Sequence, residues 1–267
     1  MDFKRISSAL IGLPIVLVVF VLGNIYVVDI AIAVISAICL HEYFNSIKGK
    51  YNPVVWIGYL MSIFIAFVHV IPKEIALYIL AAFIPTVIVI LFLHMILSNL
   101  KINLSDISVT VFGICYITFF LLFLSVIHGL PNGKIWCGLV LIIAWGTDVF
   151  AYTAGKLIGK HKFSKISPNK TIEGCLGGLI GAVVISLIYI LIVNNCTGLN
   201  FNYVIIGSIA VILSIISQIG DFSASSIKRY VGIKDFSNLI PGHGGMLDRI
   251  DSLLFLAPFA YAMFTLL

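Results

Sequence analysis

The sequence predicts an all-α protein that crosses a membrane about nine times, with its N-terminus in the cytoplasm. Three observations carry this reading. Hydrophobic residues make up 61% of the 267-residue chain and charged residues only 10%. The mean hydropathy is +1.17, and so little polar surface cannot clothe a soluble domain. The apolar residues fall in repeated runs of about 17–25, long enough for a spanning helix and unlike the short alternating segments of a barrel. Finally, the basic residues gather on one side of the membrane once those runs are counted as spans.

Taken in order, the opening MDFKRISSAL places two bases before an apolar run, as a signal peptide does. No small-x-small cleavage site clearly follows, so it reads as an uncleaved first span. The predicted spans are 7–22, 25–43, 54–71, 75–97, 107–127, 135–156, 174–194, 201–219 and 251–266. With the N-terminus inside, Lys4, Arg5, Lys48, Lys50, Lys101, Lys156, Lys160, Lys162, Lys165, Lys170, Lys228, Arg229, Lys234 and Arg249 all lie on the cytoplasmic side. Only Lys73 and Lys134 fall outside, and removing one early span would scatter this asymmetry. The odd count puts Leu267 outside.

The net charge of +5 does not point to nucleic acid, because the topology rule already accounts for bases in loops between spans. Cys39, Cys115, Cys137, Cys175 and Cys196 are odd in number and have no CxxC spacing. They suggest neither a disulfide framework nor a zinc site, and read as small apolar residues.

The chain divides by chemistry into 1–130, whose spans carry few ionisable groups and read as a scaffold, and 131–267, where acids, bases and a glycine turn concentrate. In the first half Asp29, Glu42, Glu74 and Asp106 lie near span ends or in loops, where solvated or snorkelling charges are expected. His69 and His94 sit in apolar runs and read as hydrogen-bonded inside the bundle rather than as metal ligands. No internal repeat is evident, which weakens a transporter built from inverted halves.

Chemistry begins with the sixth span. Asp148, Tyr152 and Lys156 recur at helical spacing, so one face turns polar toward the cytoplasm. In the loop that follows, Lys160, His161, Lys162, Lys165 and Lys170 are explained in the main as topology anchors. The segment Ser167-Pro168-Asn169-Lys170-Thr171-Ile172-Glu173-Gly174 is not. Thr171 is placed to cap the next helix with Glu173 in its first turn, and a helix start with Lys170 beside it suits phosphate. Gly174, Gly177, Gly178 and Gly181 then make a smooth face for close helix packing.

The stretch from Gly220 to Ser252 holds Asp221, Asp235, Asp248 and Asp251 together with Lys228, Arg229, Lys234 and Arg249. The eighth helix is expected to run past Asp221 toward Tyr230, placing Asp221, Ser225 and Lys228 on one face, and to end at Gly232. A Pro241-Gly242-His243-Gly244-Gly245 turn leads to Asp248, Asp251 and Ser252 at the start of the last helix. Several carboxylates at that depth repel one another unless cations neutralise them. Oxygen ligands suit Mg²⁺, and backbone N–H groups of the glycine turn suit phosphate. Acids for metal and bases for phosphates describe a nucleotide-phosphate site at the inner face of a membrane.

These residues also carry a resemblance. Ser225-x-Ile227-Lys228-Arg229, then Lys234-Asp235, then Pro241-x-His243-Gly244-Gly245-Met246-x-Asp248-Arg249-Ile250-Asp251 resembles the signature of the phosphatidate cytidylyltransferases, or CDP-diacylglycerol synthases. Asp148 with Ala151-Tyr152, and Ser167-Pro168 with Lys170-Thr171 and Glu173-Gly174, are similar to a second region of that family. The resemblance implies that CTP and phosphatidic acid react to CDP-diacylglycerol and pyrophosphate. It also implies a Mg²⁺-dependent two-metal site and a homodimer. By position it implies Asp221 and Asp248 as metal ligands, within a candidate catalytic set of Asp221, Asp248, Lys228 and Asp251. Asp148, Lys170, Thr171, Glu173, Ser225, Arg229, Lys234, Asp235, His243, Gly244, Gly245 and Arg249 are the candidate substrate-binding residues. His243, inside a glycine turn, reads as a phosphate or loop residue rather than as a general base.

The expected reaction is attack by the phosphate oxygen of phosphatidic acid on the α-phosphorus of CTP. Rival readings are a CTP-dependent transferase acting on an isoprenoid ether lipid or polyprenol, and an ion-coupled transporter. The expected location is a prokaryotic inner membrane, with the site on the cytoplasmic side.

Overall fold

In a computed structural model of the chain, the described residues are 18–20, 22–164, 167–240, 242 and 244–267, apart from the side chains of Lys73 and Leu77. The predicted first span, 7–22, lies almost wholly outside them, as do Lys165 and His243. Among the described residues all extended secondary structure is helical: α1 (Ile25–Ile47), α2 (Val55–Ile65), α3 (Lys73–Leu97), α4 (Leu104–His128), α5 (Gly133–Ile158), α6 (Ile172–Thr197), α7 (Tyr203–Val231) and α8 (Leu247–Phe264). The middle of α4, Ile114–Phe119, is wound as a π-helix. By length and composition six helices are long and apolar enough to cross a membrane: α1, α3, α4, α5, α6 and α7.

The helix starts follow local chemistry. Asn24, Asn103, Thr171 and Asn202 each accept a backbone N–H of the following turn through the side chain, and Asn103 with Asp106 forms a full capping box. Helix α7 runs unbroken past Asp221 and stops at Gly232. There a left-handed φ of +84° lets the N–H groups of Gly232 and Ile233 turn back onto the last carbonyls.

Two predicted spans differ: α8, whose first turns carry Asp248, Arg249 and Asp251, is not among the six, and α2 is short. Helix α2 has 11 residues, about 16 Å at 1.5 Å per residue, well short of a bilayer core. Beyond Ile65 the chain tightens into i→i+3 turns, Ala66 to Ile63 through Val70 to Phe67, and reaches Pro72, which starts α3. The apolar run is continuous in sequence, so hydropathy alone does not reveal that break.

The chain divides into two compact units, residues 1–129 with 235–249, and residues 130–234 with 250–267. In the first, Val54, Ile57, Met61, Phe83, Val87, Leu91, Ile107 and Ile114 form a buried apolar cluster. Polar groups bind its helices at three further places. Ser36 Oγ lies 3.0 Å from both Ser62 Oγ and Thr118 Oγ1. Buried Asp29 pairs with His69 Nδ1 at 2.9 Å and accepts from Ser125 Oγ. Asp106, also buried, accepts from the N–H of Asn52 at 2.7 Å. The acids expected to be solvated therefore separate: Glu74 is exposed, whereas Asp29, Glu42 and Asp106 are interior groups with partners. Inside a bundle a carboxylate persists only when hydrogen-bonded or paired.

In the second unit α5 and α6 pack most extensively. Gly174, Gly177, Gly178 and Gly181 form the contact: a Cβ at Gly177 would lie 2.2 Å from Ala154 Cβ, and one at Gly181 2.1 Å from the Phe150 ring. Thr147 Oγ1 donates to Ser214 Oγ at 2.9 Å and Gln218 Nε2 to the Cys175 carbonyl at 3.1 Å, tying α7 to both. Trp136 stacks on Phe264, with ring centroids 4.7 Å apart. Gly177→Ala is expected to lower the melting temperature in detergent by several degrees, because the opposing methyl cannot rotate away. Gly207→Ala, where the nearest atom is 3.8 Å off, should leave it unchanged or raise it slightly. Equal melting of both variants would refute the close-packed glycine face.

Candidate active site

In the second unit the polar residues are built around α7. Asp221 is half-buried and pairs with Lys170 Nζ, which comes from the loop before α6. The same ammonium lies 4.2 Å from the centroid of the Phe222 ring, and Phe222 stacks on Phe163 at 4.6 Å. The loop is held closed by Phe163 N–H donating to the Lys170 carbonyl and Ile172 N–H to the His161 carbonyl, each at 2.9 Å. Lysine 170 is thus presented by a closed loop to a fixed aspartate.

Helix α8 brings Asp251 to the same region. Gly220 makes room for it, since a Cβ there would lie 2.8 Å from the Asp251 carbonyl oxygen. Asp251 is 8% exposed, and it feels the repulsion of Asp221 and Asp148 and the attraction of Lys228. Ser252 Oγ reaches toward Asp148 Oδ2 at 3.5 Å. Five predicted residues, Asp148, Lys170, Asp221, Lys228 and Asp251, therefore gather as three acids and two lysines.

Other predicted residues of this unit are committed locally. Thr171 Oγ1 caps α6 by accepting from the Gly174 N–H at 3.1 Å. Glu173 accepts from the N–H groups of Lys160 and His161 and pairs with His161 Nδ1 at 2.6 Å, which fastens the loop. Arg229, exposed, donates to the Ile233 carbonyl at 3.2 Å beyond the end of α7. Ser225 lies one turn after Asp221, and Lys234 is exposed.

In the first unit the signature turn is folded around carboxylates of the chain itself. Asp248 Oδ2 accepts from the N–H groups of Phe236 at 2.8 Å and Gly245 at 3.0 Å. Ile240 N–H donates to the Gly244 carbonyl at 2.8 Å, closing the turn. Gly244 has φ +83°, and a Cβ there would lie 3.0 Å from Asp248 Oδ2, so a side chain would be strained and crowded. Asp235 and Arg249 are exposed. The N–H of Gly245, in the glycine turn expected to cradle phosphate, donates to Asp248, and those of Met246 and Leu247 just beyond it donate to Glu42. Glu42 was not among the expected residues. Its signal is nevertheless in the sequence: an acid within a predicted span, which needs a reason to be there.

Asp148, Asp221 and Asp251 offer hard oxygen donors. Among the described residues no three His, Cys, Asp or Glu side chains converge as a ready-made metal cage. That donor set fits Mg²⁺, which takes one or two carboxylates and completes its shell with phosphate oxygens and water.

Six helices long and apolar enough to cross a membrane define a multi-pass membrane protein, whose second unit gathers three acids and two lysines. The chain belongs to the cytidylyltransferase family, whose profile matches residues 3–267. Among curated proteins it is similar to the phosphatidate cytidylyltransferase of Thermotoga maritima, 39% identical over 160 residues, 58% of each chain. It is similar to that of Bacillus subtilis, 43% identical over 126 residues, 47% of this chain and 45% of the relative. The enzyme of that name from Staphylococcus haemolyticus is 44% identical over 118 residues, 44% of each. The chain spans about half the length of the curated relatives it matches.

Proposed function

We propose that the protein transfers CMP from CTP to phosphatidic acid, giving CDP-diacylglycerol and pyrophosphate. The observation that carries this reading is the gathering of Lys170, Lys228, Asp148, Asp221 and Asp251 in a member of the cytidylyltransferase family. The names of the similar proteins support phosphatidic acid as the lipid.

Nucleophile and electrophile are both anionic, so bringing them together is the main barrier, and positioning with charge neutralisation should dominate catalysis. A phosphate oxygen of phosphatidic acid forms a bond to the α-phosphorus, and the bond from that phosphorus to the bridging oxygen breaks, releasing pyrophosphate. Phosphatidate is already an anionic nucleophile, so no general base is required. Lys170 and Lys228 hold phosphate oxygens by charge-assisted hydrogen bonds. In the resting protein Asp221 keeps Lys170 oriented, and CTP competes for that ammonium on binding. Asp221 would be a ligand of Mg²⁺, and by the family resemblance so would Asp248; when bound, the ion would supply Lewis-acid polarisation of the phosphates and neutralise charge on the leaving group.

The same reading includes nine spans, with α2 completed by the turns that carry it to Ile71, α8 as the last span, and the N-terminus and the active site on the cytoplasmic side of a prokaryotic inner membrane. It also includes a homodimer. The arrangement suits a lipid substrate that arrives from the bilayer and a nucleotide that arrives from water.

Incubating purified protein with CTP, Mg²⁺ and phosphatidic acid, then identifying the lipid by mass spectrometry, tests the proposal. CDP-diacylglycerol formed in equal amount to pyrophosphate is expected. Turnover only with an isoprenoid ether lipid or a polyprenol would replace phosphatidic acid as acceptor. Ion uptake by vesicles without CTP consumption would replace the enzyme reading altogether.

A further inference from the structure

We infer that Glu42 is a positioning residue for the transfer, the buried anion around which the turn bearing Asp248 is folded; this rests on the proposed function. Glu42 lies in α1 and is 3% exposed. It accepts from Ser237 Oγ at 2.6 Å, Met246 N–H at 2.9 Å and Leu247 N–H at 2.8 Å. Ser237 is on the arm of the loop that enters the turn, whereas Met246 and Leu247 are on the arm that leaves it. One carboxylate therefore clasps both arms.

The chemistry of the clasp is that of a helix cap supplied from a distance. The N–H groups of Met246 and Leu247 stand at the start of α8, where a helix has donors without intrahelical acceptors and favours a negative charge. At α1, α4, α6 and α7 a neighbouring Asn or Thr serves; here the acceptor comes from another helix, about 200 residues away in sequence. That choice fixes the rotation of the first turn of α8 and with it the direction of Asp248, one residue after Leu247. Gly245 is part of the same fit, since a Cβ there would lie 2.6 Å from Glu42 Oε2. Asp248 then closes the turn from within through Phe236 and Gly245. Glu42 touches none of the reacting atoms in this scheme; it acts through Asp248.

The test compares wild type, Glu42→Gln and, as control, Glu74→Gln, an exposed acid at the start of α3, all in nanodiscs. The carboxamide keeps one oxygen but turns an NH₂ group toward donors, so three hydrogen bonds cannot all survive. A misplaced catalytic loop lowers kcat by about 100-fold, with the KM for CTP within about threefold. Amides of residues 236–247 should exchange with deuterium about tenfold faster or more, while α5 and α6 keep their protection. Glu74→Gln should match wild type. Wild-type kcat together with wild-type exchange in Glu42→Gln overturns the inference, as does a loss of rate that vanishes once normalised to the folded fraction. If Glu42→Gln does not accumulate folded, Ser237→Ala takes its place: a loss of about three- to tenfold in kcat with faster loop exchange supports the clasp, and wild-type values overturn it. The wild-type rate separates the two readings. An inactive wild type overturns the proposed function and with it any role of Glu42 in transfer; an active wild type with an equally active variant overturns only the role of Glu42.

Discussion

Asp221→Asn is expected to lower CMP transfer by about 1,000-fold or more while the protein remains folded and inserted. The residue is half-buried on a helix that extends nearly three turns beyond it, and its carboxylate meets Lys170, so its contribution to packing is small and its contribution to charge is large. Asparagine fits the same space and still accepts from Lys170, but it cannot bind a divalent cation with an anionic oxygen. It also removes a negative charge next to Asp251 and Asp148, which feel each other's repulsion. That change should if anything stabilise the fold. The expected signature is thus lost turnover with a melting temperature equal to or above that of wild type. EDTA should produce the same loss in the unaltered protein, reversible by Mg²⁺. Turnover retained in either case would remove the metal role from Asp221.

Asp248 should separate catalysis from architecture through two substitutions. Asp248→Asn keeps an oxygen for the Phe236 and Gly245 N–H groups, so the turn should hold while transfer falls by about 1,000-fold. Asp248→Ala removes that acceptor from two buried N–H groups, each worth about 1–3 kcal/mol when left without a partner. It should be inactive and also markedly less stable, which thermal or denaturant unfolding in detergent would reveal. Equal stability of the two variants would mean that the hydrogen bonds to Asp248 do not hold the turn, and full activity of Asp248→Asn would refute its place in the site.

Much of the fold was legible because membrane spans announce themselves by apolar length, and helix ends by capping residues. Thr171 before α6 and Gly232 after α7 stand where local chemistry requires them. Helix α2 was not legible: its apolar run continues to Pro72, whereas the helix ends at Ile65, and hydropathy carries no information on where an α-helix tightens into turns. In the site, Asp221 and Lys228 could be placed together from spacing along one helix, and α7 carries both. The pairing of Lys170 with Asp221 joins residues 51 positions apart, and no periodicity predicts it. Thr171 caps α6 as its position predicted, whereas Glu173 turns back from the first turn to the N–H groups of Lys160 and His161, a loop closure that no periodicity predicts. Glu42 was read as a solvated charge at a span end. Its partners are two backbone N–H groups and a hydroxyl near the other end of the chain, a long-range pairing with no local sequence pattern.

The central claim is that the phosphatidate oxygen attacks the α-phosphorus of CTP. Parallel reactions with CTP labelled at the α- or the γ-phosphate, each with Mg²⁺ and phosphatidic acid, test it most directly. The account predicts that α-label enters the lipid fraction and γ-label appears only in pyrophosphate. Label from the γ-phosphate in the lipid, with none from the α-phosphate, would make the protein a lipid kinase and contradict it.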